Sequence, residues 1–203
     1  MDFIAFDFET AYSNRNSACA LGIAVVKNGS VSETHKWRFR PRTSCFHRNN
    51  VRVHGMTEES LVGSLDLSGL WKDILPYFQR GVLVAHYASF DISVLKRSLD
   101  SNGLCHPDFE YSCSWLIAKA TWPSFRSYSL SYLASRLSLP APHHDAVSDA
   151  KTCAALVLCA CQKWNVSCLH EIEACSNISR GSLSFQSHVP ACWSGTRISE
   201  LHH

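Results

Sequence analysis

The first strand of the chain is the sequence feature that most constrains the fold. Residues 3–8 read FIAFDF and are apolar at odd and even positions alike, except for one acid. A strand with one face in solvent would alternate apolar and polar residues, so this strand is expected to be buried on both faces. The pattern predicts a central strand in a sheet that helices cover on both sides.

The residues that follow predict an antiparallel meander. Residues 20–27 (ALGIAVVK) form a second apolar run, and the Asn-Gly pair after it is a strong hairpin signal. A third strand is predicted at about 32–40, where Trp37 and Phe39 alternate with basic residues. The chain is therefore expected to open with three antiparallel strands.

The rest of the chain alternates helical and strand-like segments. Its periodicity predicts helices at about 67–78, 90–101, 129–137 and 146–164, a strand at 82–85, and a short strand running into a helix over 109–121. Thr57, followed by two acids, indicates a further helix start. The expected fold is α/β, with a mixed five-stranded sheet flanked by helices. We expect a domain over residues 1–165 and a partly irregular C-terminal extension over 166–203.

Composition bounds the class of protein. The 203 residues are 46% hydrophobic and 18% charged, which excludes a disordered chain. No apolar run approaches the ~20 residues that span a membrane, and the N-terminus is not expected to be a signal peptide. Ten cysteines without a Cys-x-x-Cys pair favour reduced, buried side chains in a cytoplasmic protein over a zinc site.

Four acids lie in otherwise apolar surroundings. Asp7 and Glu9 are two residues apart on a strand, so their side chains project from one face. Asp91 falls in the first turn of a helix, and Asp149 falls near the start of the last strong helix. Taken singly, an acid at the end of a strand is usually a solvated turn residue, and Asp91 and Asp149 are more often helix-start residues. Together at the end of a central strand, they would repel one another unless a cation such as Mg²⁺ or Mn²⁺ neutralised them.

A histidine stands close to the last of these acids. His144 precedes Asp149 by five residues, and prolines at 140 and 142 place it in the loop before the helix. An imidazole, with a pKa of about 6.5, suits a general base that takes a proton from water. A lone histidine is more often structural, and His143 has the same chemistry, so the residues alone leave both alternatives open.

Three segments resemble a known family. FDFET at 6–10, HYASFD at 86–91 and HDAVSDA at 144–150 resemble, in order, the motifs of the DEDDh 3′–5′ exonucleases, which include the proofreading epsilon subunit of bacterial DNA polymerase III. The His-x4-Asp spacing is that of the "h" subclass and selects His144. The resemblance covers about residues 2–165 and implies a ribonuclease H-like fold.

The resemblance also implies roles for the acids. The family uses two Mg²⁺ ions, with Mn²⁺ as an alternative. Asp7, Glu9 and Asp149 would hold the ion that binds the attacking water. Asp7 would bridge to a second ion, which Asp91 would reach directly or through water. His144 would be the general base, and the products would be 5′-mononucleotides released from a free 3′ end.

A further set of residues is implied at the substrate. HGMT at 54–57 resembles a segment that the family places near the terminal nucleotide. The residues implied at the substrate are Phe8, Thr10, His54, Met56, Tyr87 and Phe90. Many relatives have Asn at the position of Tyr87, which here either stacks on a base or packs. Core packing is likewise the alternative for Phe8 and Phe90.

Positive charge is concentrated in one stretch. Between His35 and His54 lie six basic residues and no acid: Lys36, Arg38, Arg40, Arg42, Arg48 and Arg52. The first four alternate, which predicts that one strand face carries them. They form either a track for phosphates or the solvated face of an edge strand.

The expected function is a metal-dependent 3′–5′ exonuclease that acts in proofreading or repair. Its expected substrate is a single-stranded or frayed 3′ end of DNA, with a DNA polymerase or repair protein as partner and no membrane. One alternative is the same chemistry on RNA or short oligonucleotides, because contacts to the 2′ position cannot be placed from the residues. A catalytically idle nucleic-acid-binding module is the alternative from another class.

Overall fold

A seven-stranded sheet forms the centre of the computed structural model, which describes residues 1–42, 45–141 and 144–194. Its strands are β1 (Phe3–Thr10), β2 (Ala18–Lys27), β3 (Ser30–Arg38), β4 (Leu83–Ala85), β5 (Phe109–Cys113), β7 (Gly181–Leu183) and β8 (His188–Val189). Two short strands, β6 (Ile178–Ser179) and β9 (Cys192–Trp193), form a separate antiparallel pair. The order across the main sheet is β3-β2-β1-β4-β5-β7-β8.

The first strand has the central position that its composition predicts. β1 pairs antiparallel with β2 and parallel with β4, and all of its apolar residues are buried. The three-stranded meander is confirmed. Asn28 and Gly29 join β2 to β3 with φ angles of 52° and 76°, the left-handed region that a two-residue hairpin turn uses.

Helices cover the sheet. The described residues form α1 (Arg48–His54), α2 (Leu67–Phe78), α3 (Ala88–Asn102), α4 (Ser114–Thr121), α5 (Leu130–Leu137), α6 (Ala146–Trp164) and α7 (Leu169–Cys175). The bounds of α2 and α6 are those predicted from periodicity. α6 lies across β1 and β2, and α3 contacts β1, β4 and β5. The mixed α/β class is therefore confirmed.

One glycine allows α6 to approach the sheet closely. Gly22 on β2 lies opposite Asp7 in the β1–β2 pairing. A Cβ at Gly22 would overlap the backbone of Ala146 and Val147, in the first turn of α6. The absence of a side chain at this position therefore seats the start of α6 directly against β2, beside the strand that carries Asp7 and Glu9.

Two predictions fail in the segment before α2. Thr57 does not begin an α-helix, because only a single 3₁₀ turn (Glu59–Leu61) follows, with Glu58 at its N-cap. The helix α1 is absent from the prediction because none of its residues is buried, so no apolar period marks it. Its ends are held locally, since the His47 side chain accepts the Asn49 N–H and Gly55 closes the last turn at φ 74°.

The sheet has seven strands rather than the predicted five. Two of the additional strands come from the segment after α7, where β7 pairs antiparallel with β5 and β8 pairs with β7. These strands have three and two residues, too few to show a period in the sequence. Arg180 fastens the segment, with Nε 2.8 Å from Glu173 Oε2 and Nη1 3.0 Å from Glu110 Oε2. Residues 195–203 lie outside the described residues.

The cysteines lie both in the core and at the surface. Cys19, Cys113, Cys153 and Cys161 are buried, while Cys45, Cys105 and Cys175 are exposed. The prediction of buried cysteines therefore holds only for some of them. In the part of the chain that the structure describes, no single helix is long and apolar enough to cross a membrane; only α6 and α7 taken together, at a 66° bend, have the length and composition.

Candidate active site

Three carboxylates meet above β1. Asp7 and Glu9 project from the same face of β1, and Asp149 comes from the first turn of α6. One oxygen from each lies within 4.8 Å of the other two. The two motifs that are distant in sequence therefore converge, as their resemblance to the exonuclease motifs implies.

The start of α6 is held in place by its own cap. Asp145 is the N-cap residue, and its Oδ1 accepts the Ser148 N–H at 3.2 Å. Its Oδ2 forms an ion pair with Lys36 Nζ of β3. Lys36 therefore connects the edge of the sheet to the turn that presents Asp149 and His144. This role of Lys36 depends on tertiary structure, and the sequence carries no signal for it.

Asp91 lies beside the cluster and is fixed by the strand backbone. Its side chain is 2% exposed in the first turn of α3. Its Oδ1 accepts the Phe8 N–H at 3.0 Å, which ties the second motif to the first. Asp91 is not one of the three residues whose oxygens lie within 4.8 Å of one another. This position suits the more distant role that the family implies for it.

Burial and mutual repulsion raise the pKa values of three acids. Burial and the neighbouring carboxylates raise the pKa of Asp7 well above its ordinary value. Burial, followed by the charges of Asp149 and Asp91, raises the pKa of Glu9 to about 8. Burial is also the main cause that raises the pKa of Asp91 to about 7. Without a counter-charge, the fully ionised cluster is unfavourable.

The donor set fits a divalent cation. All the candidate ligands are carboxylate oxygens, the type that Mg²⁺ and Mn²⁺ prefer. A cation here would also offset the repulsion that raises the pKa values. Asp7, Glu9 and Asp149 would hold it, with Asp91 beside them.

His144 lies on the loop that leads into α6. It is exposed, has a left-handed φ of 49°, and immediately precedes the N-cap of α6. Its charge is near enough to lower the pKa of His54, although burial is the larger cause of that shift. His143, the alternative general base, lies outside the described residues.

The segment around His54 is hydrogen-bonded to the end of β1 and forms one wall of the site. The Met56 N–H donates to His54 Nδ1 at 3.0 Å, so the proton of the neutral ring is on Nε2 and points to the Thr10 carbonyl at 3.1 Å. Asn50 Nδ2 donates to the same carbonyl at 2.8 Å. Sequence reasoning missed Asn50, which lies on the helix α1 that was itself missed.

The residues predicted at the substrate differ in exposure. Phe8, Thr10 and Met56 are buried, at 4%, 8% and 5% exposure, so for Phe8 and Met56 packing accounts for much of the side chain. Phe90 is half-buried, and Tyr87 is exposed. These residues therefore range from the almost fully covered Phe8 to the largely open ring of Tyr87.

Arg15 is a further residue near the site that sequence reasoning missed. Its guanidinium lies 3.9 Å from the ring centroid of Phe90, and its charge lowers the pKa of Asp91, against the larger effect of burial. It is the one Lys or Arg between Asp7 and Lys27, which is the signal that the sequence offers. The loop between β1 and β2 therefore brings a cation next to the buried acid.

The basic residues before residue 54 do not share one strand face. Lys36 and Arg38 lie on β3 with their side chains exposed, but the strand ends at Arg38. Arg40 and Arg42 follow it and line a cavity of about 420 Å³ together with Glu58 and Asp66. The prediction of four basic residues on one strand is wrong, because the chain leaves the sheet earlier than the alternation indicates.

A mixed sheet with helices on it and an acid cluster over its central strand defines a nuclease of the ribonuclease H-like class. A family model described as exonuclease, RNase_T, matches residues 4–157. The chain belongs to this exonuclease family, and its three motifs resemble those of the DEDDh type. The family is metal-dependent, and the carboxylate cluster is where a metal can bind.

Individual relatives agree with this placement. The chain is 29% identical over 140 residues to the PolC-type DNA polymerase III of Mycoplasmopsis pulmonis (strain UAB CTIP), an alignment that covers 68% of this chain and 10% of that protein. The chain thus spans about a tenth of the length of that relative.

Solved structures share the fold. Exonuclease X in complex with 5′-overhanging duplex DNA superposes with a TM-score of 0.67 and 22% identity, covering 86% of this chain and 99% of that one. The nuclease domain of 3′hExo, a DEDDh family member bound to rAMP, gives a TM-score of 0.67 and 13% identity, covering 79% of this chain and 90% of that one. At these identities the likeness concerns the fold alone.

Proposed function

We propose that this protein is a metal-dependent 3′–5′ exonuclease that hydrolyses DNA from the 3′ end and releases 5′-mononucleotides. One observation carries the proposal: the oxygens of Asp7, Glu9 and Asp149 lie within 4.8 Å of one another, beside the buried Asp91. Such a cluster weakens the fold through repulsion, and perturbed carboxylates of this kind are concentrated at functional sites. A catalytic use explains why the chain maintains it.

The residues of the chain supply the remaining steps. His144, exposed on the loop before α6, would accept the proton of the attacking water at an imidazole nitrogen. The terminal nucleotide would lie between this loop and the wall formed by Thr10 and His54. Phe8 and Met56 would contact it with the part of their surface that remains free. Two Mg²⁺ ions, when bound, would activate the water and offset the charge that develops at the phosphate.

We further propose that the substrate is a single-stranded or frayed 3′ end, in proofreading or repair. The similarity to PolC-type DNA polymerase III supports a DNA polymerase or repair protein as partner. The support is limited to a shared segment, because the chain covers 10% of that relative. The fold is compatible with either sugar, since one structural neighbour is bound to duplex DNA and another to rAMP.

The proposal is tested with single strands of DNA and RNA that have the same sequence and a 5′ label. With Mg²⁺, the DNA strand is expected to shorten from the 3′ end into a ladder of labelled products, and EDTA is expected to stop the reaction. Immediate release of the label as a mononucleotide would contradict the 3′–5′ direction. Faster cleavage of the RNA strand would mean that RNA, rather than DNA, is the preferred substrate of the same hydrolytic reaction.

A further inference from the structure

Tyr87 is an exposed aromatic residue in an unusual backbone conformation. It is 54% exposed, and its φ of 61° lies in the left-handed region that bulky residues rarely adopt. It stands between the end of β4 and the start of α3, four residues before Asp91. Unfavourable conformations of this kind persist mainly where a function uses them.

Two further aromatic residues support the Tyr87 ring. Its centroid lies 5.6 Å from that of Trp115, with the planes at 85°, and Trp115 in turn lies 6.3 Å from Tyr128 at 72°. Trp115 and Tyr128 are half-buried. Because the packing is perpendicular and Tyr87 is more than half exposed, at least one face of the Tyr87 ring is open.

Positive charge lies next to these rings. Lys119 Nζ is 4.4 Å from the ring centroid of Trp115 and 5.9 Å from that of Tyr128. A cavity of about 440 Å³ opens beside the rings, and its lining in the described part of the chain includes Arg126 and neither Asp nor Glu. The surface thus combines an open aromatic face with two cations, as surfaces for single-stranded nucleic acid do.

The sheet topology sets the distance between this surface and the acids. β1, β4 and β5 are parallel neighbours, so their carboxyl ends share one edge of the sheet. Asp7 and Glu9 lie on β1, Tyr87 follows β4, and Trp115 follows β5. Neighbouring strands lie about 4.8 Å apart, so the ends of β4 and β5 lie on the order of 5–10 Å from the end of β1 across the sheet, one to three nucleotides at the ~3.4 Å spacing of a stacked strand.

We propose that Tyr87, supported by Trp115, is a stacking platform for a base of the single strand on the 5′ side of the terminal nucleotide, and that Lys119 and Arg126 contact the adjoining phosphates. The inference rests on the proposed function and adds the path of the strand away from the acids.

The test compares two substrates that differ in what extends upstream. Thymidine 5′-(p-nitrophenyl phosphate) has no upstream base, whereas a ten-nucleotide DNA strand reaches the platform. Tyr87→Ala is expected to raise the KM for the strand about tenfold relative to the KM for the ester, within the range that base stacking on an aromatic ring gives. Tyr87→Asn should do the same while tolerating the left-handed backbone, and Tyr87→Phe should keep the wild-type ratio.

A second variant tests the phosphate contact, and a third is the control for the removal of an aromatic ring. Arg126→Gln is expected to lower the slope of log KM for the strand against log salt concentration by about one. Phe185→Ala removes a ring that is 72% exposed at the β7–β8 turn, outside the platform, and should leave both substrates unaffected.

The outcomes separate this inference from the proposed function. If the wild-type protein cleaves neither substrate, the proposed function fails. If the wild-type protein cleaves both, and Tyr87→Ala and Tyr87→Asn keep the wild-type ratio of the two KM values, the platform is wrong. If the slope of log KM against log salt concentration is unchanged in Arg126→Gln, Arg126 does not contact the phosphates of the strand.

Discussion

Glu9 and Asp91 are acids whose protonated forms the fold favours. Their pKa values are raised to about 8 and about 7, in both cases chiefly by burial. For an acid with a raised pKa, the stabilising contribution is complete below the unfolded pKa and is lost as pH rises through the folded pKa. The metal-free protein should therefore lose stability between about pH 5 and pH 9, and Mg²⁺ should restore it at the upper end.

The expected result is a Tm in EDTA that falls from pH 5.5 to pH 8.5, and a Tm gain on adding Mg²⁺ that is larger at pH 8.5. Differential scanning fluorimetry checks both. In Glu9→Gln one of the titrating groups is gone, so the fall in Tm with pH should be smaller. Equal Mg²⁺ gains at the two pH values would show that these carboxylates do not bind the ion.

The motif residues were predictable because each motif is local. FDFET places two acids on one face of a strand, and that spacing holds wherever the strand lies in the fold. The contributions of Lys36 and Asn50 were not predictable, because each depends on contacts between segments far apart in the chain. Sequence thus identifies the candidate reacting groups, and the structure adds the groups that position them.

At the scale of elements, the seating of α6 on β2 decides whether Asp149 reaches Asp7 and Glu9. Gly22→Ala would place a Cβ inside the backbone of Ala146 and Val147, so the first turn of α6 must move away. We expect a loss of roughly 1–3 kcal/mol in the free energy of unfolding, as for other overpacked sites, together with weaker Mg²⁺ binding.

Gly81→Ala is the matched control for this variant. A Cβ at Gly81 meets nothing within 4 Å, and its φ lies outside the left-handed region, so this variant should keep wild-type stability and Mg²⁺ affinity. Chemical denaturation and Mg²⁺ titration measure the two quantities. Wild-type Mg²⁺ affinity in Gly22→Ala would mean that the cluster does not depend on this close approach.

Element length explains which parts of the fold were predictable. α2 and α6 have 12 and 19 residues with buried faces, and periodicity gives their bounds. α1 has no buried residue, and β7 has three residues in all, so neither carries a periodic signal. The C-terminal segment joins the sheet through backbone pairing and the ion pairs of Arg180, which local sequence does not reveal.

At the scale of the whole molecule, the sheet brings the proposed steps to one edge. Asp7 and Glu9 lie on β1, the residues of the proposed platform follow β4 and β5, and β7 and β8 extend the sheet beyond them. A strand entering over Tyr87 would reach the acids with its 3′ end.

The formal net charge of +2 conceals an uneven distribution of charge along the chain. Four acids belong to the site, and six basic residues lie in the stretch between His35 and His54.

The most direct test of this account is the turnover of Asp7→Asn on the 5′-labelled DNA strand in Mg²⁺. The substitution keeps the shape of the side chain and removes the charge that the metal would use. The account predicts that turnover falls by roughly 10³-fold or more, while the Tm in EDTA stays at or above the wild-type value because repulsion is relieved. The control Asp73→Asn alters an exposed acid of α2 and should cleave like wild type. Wild-type turnover by folded Asp7→Asn would contradict the account.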